Sequence, residues 1–173
     1  MFPLLFFNSY SHVAGMTTIR VLLSLAASYG LLVHQMNVKT AFLNGELDEV
    51  IYMDQPDGFA IKGEERKVCK LLKSLYVLKQ APKQWHEKFY TTLTSAGFAI
   101  NEAGRCVYYQ HGGGKSVILC LYVDDILIFG TNIDAINKVK SFPSKSFDLK
   151  DLGEPDVILN IKLIEDDSKI TLL

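Results

Sequence analysis

Two adjacent carboxylates, Asp124 and Asp125, stand between the apolar runs Ile118-Leu119-Cys120-Leu121-Tyr122-Val123 and Ile126-Leu127-Ile128-Phe129. Neighbouring acids repel each other and are costly to desolvate, so charges at that point in an apolar stretch need a reason. In a hairpin whose turn is Val123 to Ile126, both strands are buried while the turn protrudes. A divalent cation held there by both carboxylates would offset their repulsion. Taken alone, the four residues favour an ordinary solvated hairpin tip, where Asp is common.

The elements that position this turn follow from periodicity. Ile19, Leu22, Leu23, Ala26 and Ala27 recur at helical spacing, with Thr17 or Thr18 as N-cap and Gly30 as terminator, which predicts an amphipathic helix. It runs into residues 31–38, a short apolar stretch suited to a buried strand, with Asn37 near its end. Asn44-Gly45 and the stretch 54–58 carry turn chemistry, because Gly supplies positive φ and Pro fixes φ before a bend. A second helix is predicted to start near Ala81-Pro82, to bury Trp85, Phe89, Leu93 and Ala96, and to end at Gly97. Strands are predicted over 107–110, 116–123 and 126–130, a third helix over 133–144, and closing strands over 157–163 and 169–173. This order implies an α+β fold: an antiparallel sheet with helices packed on one face, related to the split βαβ plan, with no second domain boundary.

Composition narrows the class. The 173 residues are 49% hydrophobic and 21% charged, a globular balance that fits one domain. Net charge is −1 from 18 basic and 19 acidic residues, which excludes the basic excess of nonspecific phosphate binders. Cys69, Cys106 and Cys120 lack CxxC spacing and His neighbours, against a zinc site or disulfide framework and for a reducing compartment. The opening Met1 to Phe7 is apolar, but it has no basic n-region and breaks at Pro3, so no signal peptide is expected. No run approaches the roughly 18 apolar residues of a membrane-spanning helix, and the expectation is an intracellular, cytoplasmic protein.

Several segments together carry a family resemblance. Tyr122-Val123-Asp124-Asp125 between hydrophobic strands resembles motif C of reverse transcriptases. Residues 36–45, Met-Asn-Val-Lys-Thr-Ala-Phe-Leu-Asn-Gly, resemble motif A of the copia-type enzymes, and Ser74 to Trp85 resembles their motif B. Asp151-Leu152-Gly153-Glu154 followed by 157–162 resembles the segment leading to the primer grip. Residues 9–173 are thus identified as a partial polymerase palm of a copia-type LTR-retrotransposon reverse transcriptase, with residues 1–8 unmatched and fingers and thumb largely missing.

The resemblance implies RNA-directed DNA synthesis by two-metal nucleotidyl transfer, with Mg²⁺ or Mn²⁺, dNTPs and an RNA or DNA template-primer, inside a virus-like particle. It places Asp124, Asp125 and Asn37 at the catalytic positions, with Asp124, Asp125 and the Val38 backbone carbonyl as metal ligands. Val38, Phe42, Tyr122, Val77 and Gln80 fall at nucleotide-binding positions, and Leu159 and Asn160 at the primer grip. Lys150 stands near the family's pyrophosphate-protonating lysine, although a plain surface lysine is the simpler reading. Trp85 reads as a core anchor, Cys120 as a small buried hydrophobe, and His34 and His86 have no partners at ligand spacing.

Three positions depart from the family pattern. Position 37 is a carboxylate in motif A, and this chain has Asn37. A unit charge pair at contact is worth about 4 kcal/mol at an effective dielectric of 20, or roughly a thousandfold in rate. Val77 and Asn160 stand where the family has glycine; positive φ at 77 would strain a β-branched residue by roughly 1 to 3 kcal/mol. The expectation is a catalytically inactive copy, the alternative being a noncatalytic nucleic-acid- or protein-binding remnant. A metal-dependent hydrolase lacks any Asp or His at complementary spacing.

Overall fold

The computed structural model describes residues 14–102, 104–143, 146–166 and 169–172. They fall into two compact units, residues 42–88 and residues 14–41 with 89–172. In chain order, α1 (Met16–Tyr29) and β1 (Leu32–Val38) are followed by a 3₁₀ turn (Ala41–Asn44), β2 (Tyr52–Asp54), β3 (Val68–Lys70) and α2 (Ala81–Ser95). Then come β4 (Ala99–Asn101), β5 (Gly104–Gly112), β6 (Lys115–Tyr122), β7 (Asp125–Gly130) and α3 (Ile133–Ser141). The chain closes with β8 (Leu149–Gly153), β9 (Val157–Ile158), β10 (Ile161–Asp166) and β11 (Lys169–Leu172). Helices and antiparallel strands mix as an α+β fold requires.

The larger unit is built on a six-stranded sheet in the order β4-β5-β6-β7-β1-β8, every neighbouring pair antiparallel. Ile126, Leu127, Ile128 and Phe129 of β7 are each only 1% exposed. Successive strand residues point to opposite faces, so four buried in a row need cover on both sides. One face places Val107, Cys120 and Leu127 in line across three strands, and α1 packs its Ile19, Leu22, Leu23 and Ala26 into that cluster. The other face lines up Tyr108, Leu119 and Ile128. There the Phe89 ring meets Tyr108 edge-on at 5.6 Å and stacks with Phe147 at 6.1 Å. Gly130 closes that face: a Cβ on it would lie 2.6 Å from Ile136 of α3. Two helices, α3 and the end of α2, share one face as expected, and only the extension to all helices is corrected, since α1 covers the opposite side.

Local boundaries differ from the sequence reading in several places, four of which bear on the sheet and its cover. Helix α1 starts at Met16 with Gly15 as N-cap and no side-chain cap, so neither Thr17 nor Thr18 caps it; Gly30 ends it as expected, at φ 61°. Helix α3 stops at Ser141 because Pro143 follows and disfavours helix in the residue before it. The single strand expected over 157–163 is broken by a two-residue turn at Leu159 and Asn160, closed by the pair Ile158 and Ile161. Strand β8 was not anticipated, because Leu-Lys-Asp-Leu-Gly has no apolar alternation and its pairing comes from β1.

The smaller unit holds the β2/β3 pair and the start of α2, where Trp85 is buried as an anchor. Gly45 does not have positive φ, contrary to the turn reading; it is needed because a Cβ would sit 2.9 Å from Gln84 Cβ and 3.2 Å from the Trp85 nitrogen. Gly58, at φ 80°, does serve a turn. The division between units falls inside α2, so no linker composition marks it. Residues 1–8 lie outside the described residues, and among those described no helix is long and apolar enough to cross a membrane.

Candidate active site

Strand β1 lies between β7 and β8, and its register sets Asn37 opposite Asp125 on one side and Lys150 on the other. The pair Tyr122 and Asp125 closes the β6/β7 hairpin, leaving Val123 and Asp124 as the two central turn residues. Val38 N–H donates to the Asp124 carbonyl at 2.7 Å, tying β1 to the turn. Val123 has φ 55°, a left-handed conformation that β-branched residues rarely adopt.

The two carboxylates have different surroundings. Asn37 Nδ2 donates to Asp125 Oδ1 at 3.0 Å, and Gln35 Nε2 donates to the same oxygen at 3.1 Å. An ionised carboxylate only accepts, so both amides must turn their NH₂ groups toward it. Asp124 Oδ1 is buried with no hydrogen-bond partner. Burial, and then the neighbouring Asp125 charge, hold the Asp124 carboxyl above the usual carboxylate range.

Of the sequence-predicted residues, the larger unit brings together Asn37, Val38, Tyr122, Asp124 and Asp125, with Tyr122 half-buried against the α1 cluster. Leu159 and Asn160 form their own turn, at φ 47° and 67°; Leu159 packs on that same core and Asn160 is exposed. Phe42, Val77 and Gln80 belong to the smaller unit, where the Phe42 ring lies 4.7 Å from Tyr76 and Gln80 O accepts from Gln84 N. Val77 is 85% exposed and its φ is not positive, so the strain considered for it is absent.

Gln35 was missed by sequence reasoning, although it lies two residues before Asn37 on a strand and so shares its face. His34, on the opposite face, is buried with its Nδ1 at 2.9 Å from Lys140 Nζ, and Lys140 in turn pairs with Asp151 at 2.8 Å. Burial first, then Lys140, lower its pKa. Cys120 is wholly buried and its thiol is pushed up to about 12, as a small hydrophobe would be.

The carboxylate hairpin thus lies between apolar strands and beside an interior strand of the sheet. The profile of the family described as Reverse transcriptase (RNA-dependent DNA polymerase) matches residues 4–173. The Retrovirus-related Pol polyprotein from transposon TNT 1-94 of Nicotiana tabacum is 49% identical over 158 residues, 91% of this chain and 12% of that protein. The Retrovirus-related Pol polyprotein from transposon RE1 of Arabidopsis thaliana is 35% identical over 155 residues, 90% of this chain and 11% of its own length. The Truncated transposon Ty1-A Gag-Pol polyprotein of Saccharomyces cerevisiae is 31% identical over 152 residues, 86% of this chain and 12% of its own. No solved structure matches the chain. The chain belongs to the reverse transcriptase family, and these relatives place it with the copia-type transposon Pol polyproteins.

Family membership implies dependence on divalent metal in general. The side chains present do not fit a pair of such ions. Position 37 supplies an amide rather than a carboxylate beside the acidic turn, and one oxygen of Asp125 already accepts two amide donors. Among the described residues, no three His, Cys, Asp or Glu side chains converge to hold a metal.

Proposed function

We propose that residues 9–173 are the palm portion of a copia-type reverse transcriptase whose ancestral reaction was RNA-directed DNA synthesis on a template-primer with dNTPs, and that this copy no longer catalyses it. The observation that carries the reading is the Asn37 amide on Asp125, at the point where two-metal transfer requires a third carboxylate. Asp124, Asp125 and the Val38 carbonyl keep the ancestral ligand positions. By the same resemblance Tyr122 in the larger unit, and Phe42, Val77 and Gln80 in the smaller, stand at the family's nucleotide-binding positions, and Leu159 and Asn160 at its primer grip. Asn160 supports the last assignment, because its φ of 67° is the conformation for which glycine is the usual residue. A virus-like particle setting, implied by the family resemblance, is proposed on the same footing.

Primer extension tests the proposal directly. The purified chain, with Mg²⁺ or Mn²⁺, an RNA template, a DNA primer and all four dNTPs, is expected to give no extension above a no-protein control. Robust extension would sink the claim of inactivity.

A further inference from the structure

The carboxylate turn places two adjacent acids at the end of the β6/β7 hairpin. Two adjacent acids, one with a buried and unpartnered oxygen, would push the turn open unless something offsets their charge. The structure shows what does so on the Asp125 side: two side-chain amides from alternate residues of β1 converge on a single carboxylate oxygen, at 3.0 and 3.1 Å. Hydrogen bonds to an ionised acceptor are the strong ones, and the amide NH₂ brings partial positive charge without a counter-charge of its own. The register delivers both donors together, since Gln35 and Asn37 lie on one face and Asn37 is directly across from Asp125.

We propose that Gln35 and Asn37 form an amide latch that holds the carboxylate turn in the place of a divalent cation, so that this chain is built to keep its turn closed metal-free. The proposal rests on reading the turn as the polymerase carboxylate site, and goes beyond loss of activity. An inactive copy with an eroded site would still take up metal weakly and be stabilised by it. A latched copy is stable without metal and gains little from it, because one Asp125 oxygen already accepts two amide donors and position 37 adds no carboxylate. The Lys39 N–H to Asp148 and Val38 N–H to Asp124 bonds fix β1 on either side, so the donors stay in place.

Metal binding and melting temperature read this independently of polymerisation. Mn²⁺ is titrated into the purified chain and followed by the paramagnetic resonance signal of the free ion, and thermal unfolding is compared in EDTA, MgCl₂ and MnCl₂. The unaltered chain is expected to leave the Mn²⁺ signal unquenched and to melt at the same temperature in all three. Asn37→Asp is expected to melt lower in EDTA and to recover with Mn²⁺. Saturable Mn²⁺ binding by the unaltered chain that Asp124→Asn abolishes would overturn the proposal, whatever primer extension gives. Should Asn37→Asp not fold, Gln35→Ala replaces it: a lower melting temperature, equal in EDTA and Mn²⁺, supports the latch, and no change overturns it.

Discussion

The larger unit contains two tight turns that hold non-glycine residues at positive φ, and they meet that backbone demand by different means. At the carboxylate turn only the first central residue, Val123, has positive φ, the pattern of a type II′ hairpin turn. At the β9/β10 turn both central residues, Leu159 and Asn160, have positive φ, the pattern of type I′. Both types match the twist of the flanking strands and both prefer glycine, which neither turn contains. The Leu159 turn is held by apolar packing, because its side chain lies on the core beneath α1. The carboxylate turn is held by polar ties from β1: one backbone bond to Asp124 and two amides on Asp125. Strain is thus tolerated where a neighbouring layer over-determines the backbone, and the neighbour can be either oil or hydrogen bonds.

If the polar ties are what hold the carboxylate turn, removing one should be the most damaging change in either turn. Asn37→Ala deletes a bond to a charged acceptor and is expected to lower unfolding free energy by about 2 kcal/mol, measured by urea denaturation at neutral pH. A loss below about 0.5 kcal/mol would mean that the turn closes on its own and the comparison fails.

The strain itself can be relieved at one turn and not at the other. Val123→Gly removes roughly 1 to 2 kcal/mol of left-handed strain and gives back part of it as glycine entropy, for a net gain of about 1 kcal/mol. Leu159→Gly relieves a similar strain but gives up partly buried apolar surface, so the two substitutions should have opposite signs. The same melts check both.

A smaller effect separates the two acids of the first turn. Because the folded chain holds the Asp124 carboxyl above its ordinary pKa of 3.8, the unfolded chain ionises more readily. The resulting penalty is absent below the unfolded pKa and fully present once pH exceeds the folded one. Asp124→Asn should therefore raise the melting temperature at pH 7, by less than the Val123 change, with the gain shrinking as pH falls through the folded pKa. A gain that persists unchanged at acid pH would show that ionisation is not its cause.

The sequence made the acidic turn legible because apolar runs on both sides left only the hairpin tip for Asp124 and Asp125. It also put Asn37 near the end of a strand. What it did not reveal depends on pairing between distant segments. Gln35 shares a face with Asn37 by simple alternation, yet its aim at Asp125 follows only from the β1/β7 register. The cover of both sheet faces was implicit in the unbroken run 126–129, but which helix covers which face is decided by tertiary packing. Gly45 was readable as a special position and misread in its reason, since close approach to Gln84 leaves no local signature. Val77 shows the converse: a position expected to favour glycine carries no positive φ, so a β-branched residue does not strain the fold there.

Asn160, the second central residue of the β9/β10 turn, should show the smallest effect. The side chain is exposed, so replacing it removes no core contact. Its φ of 67° is left-handed, where Asn is better tolerated than other side chains but still less at ease than glycine. Asn160→Gly relieves that residual strain and adds glycine's unfolded-state entropy, two opposing terms of about 0.5 to 1 kcal/mol. The net change expected is a few tenths of a kcal/mol in either direction, against about 1 kcal/mol for Val123→Gly. A change at Asn160 as large as the one at Val123 would mean that left-handed strain is shared equally by the two turns. The identity of the side chain, β-branched Val against Asn, would then have no part in how the carboxylate turn is loaded.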